Sequence, residues 1–241
     1  MEGRPGDTNN GGWKETGMRI AVFGATGRTG QQLLIQARER GLHVSALARE
    51  PEKLGELRDH VATVEGTVMD ASAVERAVSG CSAVLSVLGR RRDSSPYLLT
   101  TASANIIAAM RKEGARRLVI LTDTGVEDPS DRPSLVHKIL RIALSRVNEK
   151  LIRDSTAAAQ VTADSGVDWT LARSPMLTDG PRTNNYKVGA LARGMPMRIS
   201  RADVAEFMLS CVIDGRFIRE RPVIGGGRPR SGFWQDVRSN L

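Results

Sequence analysis

One stretch constrains this chain more than any other. Gly24-Ala25-Thr26-Gly27-Arg28-Thr29-Gly30 directly follows the apolar run Arg19–Phe23, and a helical pattern opens at its end. Glycines at the first, fourth and seventh positions permit a tight turn, close approach of the backbone to a bound group, and close packing of helix on strand. A helix N-terminus offers unpaired N–H groups and partial positive charge, so the loop suits a pyrophosphate. Turns collect glycine for steric reasons alone, and the triplet by itself is weak evidence. The order strand, loop, helix, second strand is what makes it a dinucleotide-binding loop. Its spacing departs from the Gly-x-Gly-x-x-Gly of ordinary dehydrogenases.

The rest of the chain repeats that order. Short runs rich in Val, Ile and Leu read as strands at Arg19–Phe23, His43–Ala48, Ala62–Glu65, Ala83–Val87, Leu118–Leu121 and Trp169–Ala172. Between them, apolar residues at helical spacing mark Gly30–Arg40, Ala71–Val78, Leu98–Glu113 and Ser155–Asp164, with Gly41, Gly80, Gly114 and Gly166 as stop signals. The pattern predicts an α/β fold, a single doubly wound parallel sheet with helices on both faces. Leu135–Val147, basic on one side and apolar on the other, reads either as an insertion beside the mouth of the site or as a solvated surface helix. Residues 1–17, rich in Gly, Asn and charge, read as a flexible arm; 18–225 form the domain with its crevice, and 226–241 a loosely held tail.

Composition narrows the function classes. With 40% hydrophobic and 26% charged residues the 241-residue chain is expected to be soluble and globular. No apolar run approaches the roughly 20 residues that cross a bilayer, and the N-terminus lacks the basic-then-apolar order of a signal peptide. A cytoplasmic protein without a membrane partner is expected, as a monomer or small homo-oligomer. Cys81 and Cys211 stand outside any Cys-x-x-Cys or Cys/His cluster, so neither a disulfide framework nor a bound metal is expected. A net charge of +8 invites a nucleic-acid reading. Only 4% of residues are aromatic and no helix-turn-helix, zinc finger or stacking platform is present, so no nucleic-acid partner is expected.

The end of the second strand selects the dinucleotide. A free ribose 2′-hydroxyl is usually held by Asp or Glu about 20 residues after the loop, whereas a 2′-phosphate needs a cation. His43–Ala48 ends in Arg49, with Arg28 available from the loop. A guanidinium binds phosphate through two hydrogen bonds at once, which favours NADPH or NADP+ over NADH. Glu50 is the counter-argument, since a one-residue shift would bring it to the ribose.

On these residues the sequence resembles the atypical short-chain dehydrogenase/reductases, in particular the NmrA-like NAD(P)H-binding group that includes biliverdin-IXβ/flavin reductase. The likeness runs from about Met18 to Ile224. It is carried by Ile20–Gly30, Leu47-Ala48-Arg49, Val87-Leu88-Gly89, Ser165-Gly166-Val167-Asp168-Trp169-Thr170 and Arg198-Ile199-Ser200-Arg201-Ala202-Asp203-Val204-Ala205. The resemblance implies a Rossmann-like domain with NADPH across the C-terminal strand ends, reducing flavins or other planar conjugated compounds by hydride transfer. It implies phosphate contacts for Thr26, Arg28 and Thr29, the 2′-phosphate on Arg49, and the cofactor backbone on Leu88 and Gly89; with the loop glycines Gly24, Gly27 and Gly30, and with Thr67 and Arg90, these are the expected cofactor-binding residues.

The chain also departs from that pattern. Relatives often end the third strand in Gly-Asp at the adenine; here Gly66 is followed by Thr67. After the fifth strand, Thr122-Asp123-Thr124 puts Asp where Ser is usual, and the Tyr-x-x-x-Lys pair of ordinary short-chain dehydrogenases is missing. Pro175-Met176 aligns where the flavin-reducing relative has a His. Asp123 is therefore the candidate acid or base, flanked by Thr122 and Thr124 as orienting groups. Its alternative role is to cap the following turn or pair with an Arg. Arg90-Arg91-Arg92 follow the fourth strand, where Arg92 would meet an anionic substrate, or else form a solvated run beside Asp93. Pro175, Met176 and Tyr186, with Leu177 and Met195, either line an apolar substrate pocket or serve ordinary packing. No histidine is assigned to catalysis. The expectation is hydride transfer from NADPH to a small conjugated, flavin-like or quinone-like molecule. The alternatives are a non-redox isomerisation, cyclisation or dehydration using Asp123, and an NmrA-like nucleotide sensor without catalysis.

Overall fold

A computed structural model describes residues 17–90, 94–133 and 149–226. The arm before Gly17, Arg91, Arg92 and Asp93, the segment Leu135–Val147 and the tail beyond Gly226 lie outside the described residues.

The strands β1 (Arg19–Phe23), β2 (His43–Ala48), β3 (Ala62–Glu65), β4 (Ala83–Ser86), β5 (Arg117–Asp123) and β6 (Asp168–Ser174) form the body of the sheet. They alternate with helices α1 (Arg28–Glu39), α2 (Ala71–Val78), α3 (Leu98–Glu113) and α4 (Glu149–Ala163). Beyond β6 come the short strands β7 (Met176–Thr178), β8 (Tyr186–Gly189) and β9 (Arg198–Ser200), helix α5 (Arg201–Ile213) and β10 (Val223–Gly226). The eight-stranded sheet has the order β3-β2-β1-β4-β5-β6-β10-β8, and β7 pairs with β9 in a separate two-stranded ribbon. All pairings in the main sheet are parallel except β10 with β8. This is the doubly wound, Rossmann-like architecture, in which the strand order reverses between β1 and β4 and leaves a crevice beyond their C-terminal ends.

Two apolar layers hold the helices. On one face Leu33, Leu34 and Ala37 of α1 meet Phe207, Met208 and Cys211 of α5 over Ile20, Val22 and Leu85. On the other, Val74 and Ala77 of α2, Ile106 and Met110 of α3 and Ala159 of α4 cover Phe23, Val84 and Leu118. Alternate residues of the central strands point to opposite faces and both faces are covered, so these strands read as continuous apolar runs.

Several boundaries differ from the sequence expectation, for physical reasons. β5 and β6 run to Asp123 and Ser174 because seven residue pairs, Arg117 with Asp168 through Asp123 with Ser174, continue the ladder past the apolar stretch. Among the described residues helix α4 already includes Glu149, ahead of the expected Ser155, since these turns are charged. Pro51–His60 forms a 3-10 segment kinked at Gly55. Gly225 and Gly226 belong to β10, opposite Lys187 and Tyr186, so the expected tail does not begin at Gly226. Their glycines hid a strand that the backbone ladder makes without side-chain propensity.

Candidate functional site

A cleft of about 990 Å³ opens at the C-terminal ends of β1, β2, β4, β5 and β6. The glycine loop forms one side. Gly24 has φ +85°, and a Cβ there would lie 2.8 Å from the Val87 carbonyl oxygen. Gly30 is tighter, because its Cβ would stand 2.2 Å from the Gly24 oxygen and 2.6 Å from that of Ala25. The Gly27 N–H donates to Gly24 O at 3.0 Å and closes the turn. Helix α1 then starts at Arg28 with no side-chain cap and no acidic residue in its first turn, so its positive end is left to the cleft.

Cations surround that end. Arg28 and Arg201 both donate to Asp179, Arg28 at 2.6 Å, bridging the glycine loop to the segment after β7 and the start of α5. Arg49 is exposed at the end of β2 and lines the cleft. The counter-candidate Glu50 lines it too, but Glu50 accepts from Lys53 Nζ at 2.6 Å. These residues fit a phosphate-rich cofactor, with glycines for the backbone approach, an uncompensated helix N-terminus and guanidinium groups around it.

Of the remaining expected residues, Thr26, Gly27, Thr29, Thr67, Leu88, Gly89, Arg90, Thr122, Asp123 and Pro175 also line the cleft. Asp123 stands at the last pair of the β5–β6 ladder, and its Oδ1 accepts the N–H of Gly125 at 2.7 Å, which is the turn-capping alternative. Thr124, Met176 and Tyr186 are not brought into the cleft wall. Met176 is 63% exposed on β7 while its neighbour Leu177 lines the cleft, as strand alternation requires. Tyr186 packs its ring edge-on against Phe207 with centroids 6.0 Å apart, and burial pushes its phenol up to about 12, out of range for a neutral-pH acid. Arg92 lies outside the described residues.

Four contributors were not read from sequence. Lys53 and Asp179 carried no motif. Asp154 of α4 is buried at the N-terminus of α3, where its oxygens accept the N–H groups of Leu99 and Thr100, each at 3.0 Å. Arg201 sat inside a quoted motif but was read only as part of the likeness. The motif itself explains Arg201: Ser200 caps α5 by accepting the Asp203 N–H at 3.0 Å, a Ser-x-x-Asp variant of the capping box. Asp203 in turn accepts the N–H groups of Thr183 and Asn184, tying the loop before β8 to the same helix start.

A family model described as NAD(P)H-binding matches residues 24–214, most of the chain, from the glycine loop through helix α5. The chain belongs to this NAD(P)H-binding family. Among curated proteins, this NAD(P)H-binding chain is 30% identical over 154 residues to the oxidoreductase aflX of Aspergillus parasiticus, covering 56% of the chain and 57% of that protein. It is also 30% identical over 154 residues to a (4-alkanoyl-5-oxo-2,5-dihydrofuran-3-yl)methyl phosphate reductase of Streptomyces griseus, covering 64% of the chain and 46% of the relative. The chain thus spans about half the length of the curated relatives it matches. Among solved structures, it resembles a short-chain dehydrogenase/reductase of Veillonella parvula in complex with NADP, with TM-score 0.72 and 18% identity over 88% of this chain and 95% of that one. ChuY, an anaerobillin reductase from Escherichia coli O157:H7, gives TM-score 0.73 and 20% identity over 88% and 99%. At these identities the structural likeness establishes the fold.

Proposed function

We propose that this NAD(P)H-binding protein is an NADPH-dependent oxidoreductase that transfers hydride to a small conjugated, flavin-like or quinone-like substrate. The observation that carries the reading is the single cleft in which the glycine loop and Arg49 share walls with the hydroxyl-bearing strand ends Thr122 and Ser174. A cleft of about 990 Å³ is at the upper end of small-molecule sites, in keeping with a dinucleotide together with a second molecule. The names of the curated relatives, an oxidoreductase and a reductase, support the same reaction class.

In this reading the nicotinamide, when bound, supplies the hydride. The protein binds and orients. Gly24, Gly27 and the N-terminus of α1 receive the pyrophosphate, and Arg49 receives the 2′-phosphate, with Lys53 neutralising Glu50 beside it. Thr122 at the end of β5 orients the carboxamide or the substrate carbonyl. Asp123 holds its turn, so proton delivery to the reduced product falls to solvent or to the cleft hydroxyls.

The test mixes protein, NADPH and a panel of quinones and flavins while absorbance near 340 nm is followed. Consumption of NADPH with at least one acceptor is expected. Tight NADPH binding without consumption by any acceptor overturns the proposal.

A further inference from the structure

The cations along the cleft are not equivalent. Arg28 and Arg201 donate directly to Asp179, and Lys53 to Glu50. Arg90, just beyond β4, differs. Its side chain is only 12% exposed, and its Nε is buried without an acceptor among the described residues. The nearest carboxylate oxygen, Asp154 Oδ2, is 3.8 Å from that nitrogen, beyond hydrogen-bond reach.

Asp154 is committed elsewhere. Its side chain is fully buried, Oδ2 accepts the Leu99 N–H, and Oδ1 accepts both the Thr100 N–H and the Thr100 hydroxyl. It therefore lies beside the sheltered guanidinium, yet takes no hydrogen bond from Nε. A buried charged donor without an acceptor is costly, and the cost is relieved when an oxyanion arrives. Arg90 forms the cleft wall together with Leu99, Thr122 and Ser155, on the β4 side of the point where the strand order reverses. The glycine loop, Arg28 and Arg49 serve the β1–β2 side, where the cofactor phosphates are placed.

We propose that Arg90 anchors a carboxylate of the substrate, so that the hydride acceptor is a planar conjugated molecule bearing an acidic group. The inference rests on the reductase reading and narrows its substrate class. A guanidinium presents paired donors that match the two oxygens of a carboxylate. Asp154, by holding the start of α3 and the charge beside Arg90, is the positioning residue.

The test compares 1,4-naphthoquinone with 1,4-naphthoquinone-2-carboxylate as acceptors for the wild type, Arg90→Gln and Arg90→Lys. The intrinsic reactivities of the two quinones cancel when the ratio of their kcat/KM values is compared between proteins. We expect this ratio to fall about tenfold or more in Arg90→Gln, mainly through KM for the carboxylate, and to recover in part in Arg90→Lys. An unchanged ratio overturns the proposal. So does an equal loss with both acceptors accompanied by weaker NADPH binding, which assigns Arg90 to a cofactor phosphate. If the wild type consumes NADPH with neither of these acceptors nor with any other of the quinone and flavin panel, the reductase reading fails first. The anchor is then read by calorimetric titration of the NADP+-loaded protein with naphthoquinone carboxylate: binding weakened by Arg90→Gln sustains it, and equal binding in both proteins removes it.

Discussion

Asp123 Oδ1 accepts the backbone N–H of Gly125 at 2.7 Å, so the carboxylate at the end of β5 closes the turn that follows it. The turn is fitted to that carboxylate, since a Cβ on residue 125 would meet the same oxygen at 2.5 Å. Asp123→Asn retains an acceptor and is expected to leave melting temperature and NADPH turnover close to wild type. Asp123→Ala removes it, at a cost of about 1 kcal/mol, or roughly 2–4 °C in a domain of this size. Loss of all turnover in a stably folded Asp123→Asn protein would instead favour acid–base chemistry at this carboxyl.

Arg49 is the expected determinant of the phosphorylated cofactor. Removing a charge-assisted hydrogen bond to phosphate costs about 1.5–3 kcal/mol. Arg49→Ala should therefore weaken NADPH binding by about tenfold to a hundredfold while leaving NADH affinity nearly unchanged. Fluorescence titration of both nucleotides measures this; an unchanged NADPH/NADH ratio sinks the assignment.

Gly30→Ala probes the loop by volume alone. The added methyl would lie 2.2 Å from Gly24 O, a backbone atom that cannot rotate away. A stability loss of about 1–3 kcal/mol or more is expected, together with impaired nucleotide binding even when NADPH is in excess. Thermal melting with and without NADP+ reads both effects, and a protein that melts and binds like wild type contradicts the geometry.

Arg173 is fully buried in β6, and both of its terminal nitrogens donate to Asp131, at 2.6 and 2.8 Å. Asp131 also accepts the Leu191 N–H at 2.9 Å and so pins the segment between β8 and β9. Asp131→Ala leaves a buried charge without its partner and is expected to cost about 3–5 kcal/mol.

The same pair has a pH signature. Burial opposes ionisation of Asp131, but the Arg173 guanidinium and the Leu191 N–H outweigh it and hold the carboxyl below the ordinary value of 3.8. A carboxyl whose folded value is depressed contributes stability that is complete above its unfolded value and is lost as pH falls through the folded one. Wild type should therefore lose more stability than Asp131→Asn as pH drops below about 4. Denaturant titrations at pH 6 and pH 3 on both proteins measure the difference, and parallel losses would rule out this contribution.

The sheet body was legible because burial on both faces leaves an unbroken apolar signature, as in Val84-Leu85 or Leu118-Val119. The glycine loop was legible because two of its positions leave no room for a side chain. The elements beyond β6 were not. β7 and β9 are three residues each, β10 ends in two glycines, and their pairing is long-range, so none carries a local period. Lys53, Asp154 and Asp179 act on the cleft through ion pairs and caps made by residues distant in sequence or outside any motif. Tyr186 left pocket and packing both open in the sequence because only the partner Phe207, 21 positions away, reveals its packing.

The seven-pair ladder between β5 and β6 ends with Asp123 level with Ser174, so the floor beneath the reacting atoms is set by main-chain bonds that do not depend on which side chains are present. The loops between the short strands from Met176 to Ser200 are held in addition by individual side chains, Asp131 at Leu191 and Asp203 at Thr183 and Asn184. Substitutions at Leu177, where this segment meets the cleft, can reshape what the cleft admits without moving the floor. A scaffold divided in this way lets the cleft rim vary while its floor stays the same, and the rim is the place to look when related chains are sorted by what they bind.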